Sequence, residues 1–189
     1  MIPRHAKKPG ETHAYDLGQV LQILDRIPLL EKSLVATAAL AGFRQGELRG
    51  LEWTDYTGNE VVIKRSTWMS VVNLPKTRAS RDSVPVIPAL AEILDEYRKS
   101  MGDPEVGVVF HSGDGLPISV DRVGRWVVRR ELEAVRLPWY GWHAFRRGLA
   151  SNLYVIGAQD KVVQRILRHS NPTSLGNAIR SSIVLCLKR

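Results

Sequence analysis

Apolar residues recur at helical spacing along most of this chain, and one stretch near residues 59–88 breaks the pattern. In the segment DLGQVLQILDRI, which begins at Asp16, the apolar residues fall three or four positions apart. The segments LLEKSLVATAALAGF, ALAEILDEYRKSM and SVDRVGRWVVRRELEAV continue this pattern. Such spacing places one face of a helix against a core. The sequence therefore predicts a mainly helical protein, with two further helices near residues 143–156 and 160–168.

The stretch between Asn59 and Pro88 is rich in β-branched residues. The segments EVVIKR, STWMSVV and SVPVIP favour strands, and the basic segment PKTRASRD between the last two is typical of a turn. These segments predict two or three short antiparallel strands. The expected fold class is therefore α+β, mainly α with a small antiparallel β-sheet.

The positive charge of the chain is concentrated in its last third. The net charge is +8, and residues 121–189 hold 13 Lys and Arg against 4 Asp and Glu. The first 120 residues hold 14 basic and 15 acidic residues, which nearly cancel. A positive charge concentrated in one part of the chain favours a polyanionic partner, above all nucleic acid. A basic face that only contacts solvent would give the same excess of Lys and Arg.

Composition excludes several other classes. The single cysteine, Cys186, cannot form an internal disulfide framework or a multi-cysteine zinc site. No apolar run approaches the ~20 residues of a membrane helix, and the basic start MIPRHAKKPG lacks the apolar stretch of a signal peptide. We therefore expect a cytoplasmic protein that does not enter a membrane.

Four separated elements carry side chains that are suited to phosphate chemistry. They are Arg44 with Glu47 before a short helix, Lys76 in the basic turn, His143 with Arg146 at a helix start, and His169 after a helix. Each alone has an ordinary structural explanation, such as an Arg–Glu pair, a solvated hairpin tip or a histidine bonded to backbone. Together they describe a pocket for one phosphodiester group, since arginine forks bind phosphate oxygens and imidazoles move protons near neutral pH. No paired carboxylates suggest a metal site, so these cations would replace Mg²⁺.

The four elements, in this order, resemble the motifs of the tyrosine recombinases, the phage-integrase family. AGFRQGELRGLEW is similar to the family's first arginine motif, and PKTRASRDSVPV is similar to its β-hairpin lysine segment. HAFRRGLAS resembles the His-x-x-Arg helix, and VVQRILRHSN resembles the second-histidine motif, with Arg168 where glycine is most familiar. The resemblance runs from about Tyr15 to Asn171. It implies the fold of the family's catalytic domain.

The resemblance also implies a reaction. In the family, a tyrosine hydroxyl attacks the scissile phosphate, forms a 3′-phosphotyrosyl link and frees a 5′-hydroxyl. Arg44 and Arg146 would clamp the non-bridging oxygens, and Lys76 would protonate the leaving 5′-oxygen. His143 would act as acid and base, and His169 would donate a hydrogen bond to the phosphate. The implied partners are double-stranded DNA and other recombinase subunits, with no metal and no small-molecule cofactor.

The expected nucleophile is missing from the sequence. The family's tyrosine falls nine or ten residues after the second histidine, where this chain has Ala178 and Ile179. All five tyrosines precede His169. The family-like pattern also ends near Asn171, as a frameshift, a truncation or engineering would produce.

This pattern predicts three parts, namely an arm or interdomain linker remnant over residues 1–12, an integrase-type catalytic domain over residues 13–171, and an atypical tail over residues 172–189. Two functions remain open. The chain is either a recombinase domain that cannot cleave alone, or a non-catalytic DNA-binding module or decayed remnant that regulates an intact recombinase.

Overall fold

Eight α-helices and four short strands form the part of the chain that the computed structural model describes, which is residues 12–68, 71–73, 83–113 and 115–168. The helices are α1 (Leu17–Leu24), α2 (Leu29–Leu40), α3 (Gln45–Gly50), α4 (Pro88–Ser100), α5 (Val120–Val123), α6 (Arg129–Ala134), α7 (Trp142–Val155) and α8 (Asp160–Leu167). The mainly helical fold class is confirmed.

The strands form two separate antiparallel pairs. β1 (Glu60–Val62) pairs with β4 (Ser83–Pro85), and β2 (Ser66–Trp68) pairs with β3 (Val71–Asn73). Two or three strands in one small sheet were expected from the sequence. The structure instead has two pairs of strands. The hairpin of β2 and β3 lies in the chain between β1 and β4, which pair with each other.

Helix α2 is the centre of the core and packs against both α4 and α7. Its residues from Ser33 to Ala39 are all buried, as expected for a helix that is apolar on most sides. Ser33 Oγ donates to Leu29 O at 2.8 Å, and Thr37 Oγ1 donates to Ser33 O at 2.7 Å. Both buried hydroxyls thus have a hydrogen-bond partner within the helix, so neither adds the free-energy cost of a buried, unpaired polar group.

Tyr15 anchors the segment before α1 to the start of α7. Its side chain is fully buried, and its hydroxyl donates to Pro138 O and accepts from Tyr140 N, each at 2.9 Å. Burial, as the larger cause, raises the pKa of Tyr15 to about 12. The backbone of Tyr15 also lies so close to Gly148 on α7 that a Cβ there would be 2.0 Å from Tyr15 O. Tyr15 therefore fixes the corner that leads into α7.

We expect Tyr15→Phe to lower the free energy of unfolding by about 1–2 kcal/mol, because the Pro138 carbonyl and the Tyr140 amide both lose a partner in a partly buried place. Urea denaturation followed by circular dichroism measures this loss. The control is Tyr154→Phe, since the hydroxyl of the half-buried Tyr154 bonds to the exposed Asp160 and its loss should stay below about 0.5 kcal/mol. Equal losses in the two variants would show that Tyr15 is not an anchor.

The helical segment between α5 and α6 winds as a π-helix over Gly124–Val128. Gly124 lies against two aromatic rings, since a Cβ there would be 2.7 Å from Trp142 Nε1 and 2.8 Å from Trp139 Cζ2. Trp142 Nε1 also donates to Val120 O at 3.0 Å. These contacts seat the corner before α7 against α5, so both Tyr15 and the α5 segment position the first turn of α7.

Within the described ranges, the helices are too short or too polar to cross a bilayer.

Candidate active site

Arg44 is held by Glu47 at the start of α3. The Arg44 backbone N–H donates to Glu47 Oε2 at 2.8 Å, and Arg44 Nη1 donates to Glu47 Oε1 at 2.7 Å. The Glu47 side chain is 7% exposed and that of Arg44 is 41% exposed. Glu47 therefore orients the guanidinium from the buried side and leaves its outer part accessible, as the spacing of the pair predicted.

Arg146 reaches the same region from α7 and is almost fully buried. Its Nη1 donates to Gly42 O and its Nη2 donates to Leu167 O, so the two arms of the guanidinium join the end of α2 to the end of α8. Burial first, and then the charges of Arg44 and Arg168, lower the pKa of Arg146 to about 9. Arg146 is therefore still a cation at neutral pH, although it lies near the cations Arg44 and Arg168.

The two predicted arginines converge at the C-terminal end of α8. Arg146 Nη2 donates to Leu167 O, and Arg44 Nη2 donates at 3.4 Å to the next carbonyl along the chain, Arg168 O. Consecutive carbonyls lie only a few ångströms apart. The structure thus brings together two guanidinium groups that are about 100 positions apart in the sequence.

Arg168 is a third guanidinium in this cluster, and the sequence analysis did not name it as a site residue. Its side chain is 4% exposed, and its Nη2 donates to Glu47 Oε2 at 2.8 Å and to Gly42 O at 3.2 Å. Its backbone is left-handed, with φ 51° and ψ 49°. The signal in the sequence was an arginine in a position where the family motif most often has glycine.

His143 lies in the first turn of α7 with an exposed side chain. Partial burial, as the largest cause, lowers the pKa of His143, and the charges of Arg147, Arg146 and Arg44 lower it further. A lowered pKa favours the neutral imidazole at pH 7, which can accept a proton. His143 thus belongs electrostatically to the arginine cluster.

An open cleft of about 450 Å³ lies beside His143. Its walls come from α3, the α5 segment and the corner before α7, and include Gln45, Arg125, Tyr140 and Arg147. Asp121 ties two of these elements together, since it accepts from Gln45 Nε2 at 3.0 Å and from Arg49 Nη2 at 2.6 Å. The cleft is polar and carries two arginines on its walls, as a surface that accepts an anionic chain would.

Comparison with known proteins agrees with this geometry. Residues 12–180 match the family model described as the phage integrase family. The chain belongs to the phage integrase family. The resemblance drawn from the four motifs is thereby confirmed.

Among curated proteins, the chain is similar to a tyrosine recombinase XerC-like protein of Caldanaerobacter subterraneus subsp. tengcongensis, with 28% identity over 173 residues. That match covers 77% of this integrase-family chain and 44% of the relative, so the chain spans less than half of the relative's length.

Solved integrases and recombinases share the fold. The Tn1549 transposon integrase in complex with transposon right end DNA superposes with a TM-score of 0.76 at 18% identity, covering 93% of this chain and 63% of that one. The XerA recombinase superposes with a TM-score of 0.73 at 14% identity, and the match covers 94% of this chain and 61% of that one. A lambda integrase dimer bound to a COC′ core site superposes with a TM-score of 0.67 at 19% identity, and the match covers 93% of this chain and 50% of that one.

Several predicted features of this integrase-family chain lie outside the described residues. They are Lys76, His169, the expected nucleophile position near Ala178, the atypical tail over residues 172–189 and nearly all of the arm over residues 1–12. Their roles therefore stay predictions. Of the five predicted site residues, the structure describes Arg44, His143 and Arg146, and it brings the two arginines to the end of α8 with His143 within electrostatic reach of both.

Two of the tyrosines that precede His169, in addition to Tyr15, donate their hydroxyls to groups within the fold. Tyr56 donates from its hydroxyl to Asp95 Oδ1 at 3.0 Å, and Tyr97 donates to Val109 O at 3.1 Å. Burial is the largest cause that raises the pKa of both phenols, to about 12 for Tyr97. A raised pKa disfavours the phenolate, so neither hydroxyl is prepared for attack.

Over the described part of the chain, no group of three His, Cys, Asp or Glu side chains is arranged to hold a metal ion.

Proposed function

We propose that this chain is the DNA-binding, catalytic-type domain of a site-specific tyrosine recombinase or integrase, acting in DNA integration and recombination. The observation that carries the proposal is the convergence of Arg44 and Arg146 at the end of α8, beside His143. The exposed outer part of the Arg44 guanidinium fits a non-bridging oxygen of a phosphodiester, and the buried Arg146, whose two Nη atoms donate to carbonyls, adds positive charge behind it. The Tn1549 transposon integrase in complex with transposon right end DNA and the lambda integrase dimer bound to a COC′ core site share this fold, which supports double-stranded DNA as the partner.

In this proposal the arginines act as an electrostatic clamp. Their carbonyl and carboxylate contacts fix both guanidinium groups before a substrate arrives, so little reorganisation is needed when charge develops on a pentacovalent phosphate. His143, kept neutral by its lowered pKa, exchanges a proton with the attacking or leaving oxygen. Lys76 would protonate the leaving 5′-oxygen and His169 would donate to the phosphate, in the roles that the family resemblance implies. The chemistry needs neither a metal nor a small-molecule cofactor in these roles.

We also propose that the chain cannot cleave DNA alone. The family nucleophile is a tyrosine, and Ala178 stands at the expected distance after His169. Cleavage would then depend on other recombinase subunits. The same absence favours a second candidate, a non-catalytic DNA-binding module that competes with or regulates an intact recombinase. The catalytic-type domain would comprise residues 13–171 and work in the cytoplasm, where its single cysteine stays reduced.

The proposal predicts DNA binding that is weakened by salt and by loss of Arg44. For three phosphate contacts, affinity for a 20-base-pair duplex should fall about 40-fold between 50 and 200 mM salt, because each contact releases condensed counterions. Arg44→Ala should weaken binding about tenfold further at fixed salt, since a charge-assisted contact is lost. Fluorescence anisotropy with labelled duplexes of two unrelated sequences measures both effects.

The control for this experiment is Arg26→Ala, which removes an exposed arginine that pairs with Glu131 on α6 at 3.3 Å. Its affinity should stay within about twofold of the parent, since one exposed ion pair contributes little. Binding that is unaffected by salt would contradict the electrostatic interface. Equal effects of the Arg44 and Arg26 variants would contradict the phosphate pocket.

A further inference from the structure

Arg168 keeps a backbone conformation that is costly for arginine. Its φ of 51° and ψ of 49° are left-handed, a region that glycine enters freely and most side chains enter at about 1–2 kcal/mol. The residue directly follows α8 and ends that helix. An arginine that is retained at such a position must make contacts that offset the strain.

Those contacts surround the Arg168 guanidinium on several sides. Nη2 donates to Glu47 Oε2 at 2.8 Å and to Gly42 O at 3.2 Å, and Nη1 donates to Ile166 O at 3.3 Å. The ring of Phe43 lies 5.3 Å from the guanidinium carbon, which is a cation–π distance. Only 4% of the side chain is exposed, so Arg168 faces Glu47 rather than solvent.

Glu47 is shared between two arginines. Its Oε1 accepts from Arg44 Nη1 at 2.7 Å, and its Oε2 accepts from Arg168 Nη2 and from the Arg44 backbone. The cluster formed by Arg44, Arg146, Arg168 and Glu47 carries a net charge of +2. Without Arg168 it would carry +1, and the buried carboxylate would attract Arg44 without competition.

We propose that Arg168 is a positioning residue that neutralises Glu47 and thereby keeps the charge of Arg44 available to a bound phosphodiester. This inference rests on the proposed function of the same pocket. Arg168 itself does not contact the phosphate, because its guanidinium is buried against Glu47, Gly42 and Phe43. It acts through Glu47 on the electrostatic potential of the pocket.

Arg168→Gly tests the inference directly. Glycine adopts the left-handed φ without strain, so the variant removes the guanidinium while the backbone is kept. We expect affinity for a 20-base-pair duplex to fall about tenfold, because one unit of pocket charge is lost at short range. The slope of affinity against salt should stay unchanged, because the number of phosphate contacts stays the same. Arg168→Asn, which also tolerates this conformation, should behave alike.

A second substitution separates charge balance from simple structural damage. Glu47→Gln in the Arg168→Gly background restores a net charge of +2 and retains an oxygen that accepts from the Arg44 N–H. We expect this double variant to regain affinity to within about threefold of the parent, which corresponds to a favourable coupling in a double-mutant cycle. If Arg168 only held the backbone in place, the second substitution would not restore binding.

Arg136 provides a matched control. It is also an arginine with a left-handed φ, 59°, but its side chain is exposed and lies outside the cluster. Arg136→Gly makes the same chemical change and should alter DNA affinity by less than about twofold. Thermal unfolding of every variant verifies that it is folded at the temperature of the binding assay.

The outcomes distinguish this inference from the function on which it rests. Equal losses in the Arg168 and Arg136 variants, or a loss that Glu47→Gln does not reverse, would overturn the role of Arg168. A reduced salt slope in Arg168→Gly would show that Arg168 contacts phosphate itself and would also overturn it. If Arg44→Ala binds like the parent, the phosphate pocket itself is wrong, whatever the Arg168 variants do.

Discussion

We expect no covalent protein–DNA complex when this chain is incubated with a nicked suicide substrate, although the same chain binds the duplex. The arginine cluster can stabilise charge along a reaction path, but it does not supply the attacking atom. In a hydrolase, removal of the nucleophile lowers the rate by about 10⁶-fold. The hydroxyls of Tyr15, Tyr56 and Tyr97 are engaged by Pro138 O, Asp95 and Val109 O, so these tyrosines do not replace it.

A denaturing gel followed by protease treatment measures the covalent complex. A shifted band that protease removes would contradict the prediction, and peptide mapping would then identify the nucleophile. Ala178→Tyr is the informative companion variant. We expect it to remain inactive, because the tail over residues 172–189 is predicted to be atypical for the family and a hydroxyl there must also be delivered in line with the leaving group. Activity of this variant would show that the tail is competent and that only the side chain was missing.

Gly148→Ala should be the most destabilising single substitution among those considered. A Cβ at this position would lie 2.0 Å from Tyr15 O and 3.1 Å from Tyr15 C, and both are main-chain atoms that cannot rotate away. Relief of the clash requires the segment before α1 to separate from α7, which would weaken the Tyr15 hydroxyl bonds to Pro138 and Tyr140. We expect a loss of about 3 kcal/mol in the free energy of unfolding, measured by urea denaturation.

The control for this substitution is Gly18→Ala on the exposed side of α1. Beyond the helix's own backbone, a Cβ there meets only the Asp16 side chain, with Oδ1 at 3.3 Å, so alanine should be neutral or stabilise the helix by up to about 1 kcal/mol. If Gly148→Ala unfolds at the same urea concentration as the parent, the close packing of Tyr15 on α7 is not present in solution.

The sequence predicted the elements whose apolar spacing is regular. The 3.6-residue period of ALAEILDEYRKSM places four residues of α4 on one face, of which Leu90, Leu94 and Tyr97 are buried and Ile93 packs partly buried against the core. The pairing of Arg44 with Glu47 was also predictable, because three positions near the start of a helix bring the two side chains into reach. Arg146 was identified by its motif, and the structure adds that the motif residue is buried and joins α2 to α8.

The remaining features depend on contacts between distant segments. The close contact of Gly124 with the rings of Trp139 and Trp142 is not indicated by any local pattern around Gly124. The pairing of β1 with β4 skips the hairpin between them, and adjacent strands are the usual expectation. The inward direction of Arg168 is set by Glu47 and Phe43, both more than 100 positions away, so its sequence context indicated only an unusual residue.

The Tyr15 anchor couples two segments of the chain that are more than 120 positions apart. Tyr15 precedes α1, and its hydroxyl holds the backbone of Pro138 and Tyr140 immediately before the helix that carries His143 and Arg146. The order of the segment before α1 and the placement of the helix that carries His143 and Arg146 are therefore coupled through a single hydroxyl.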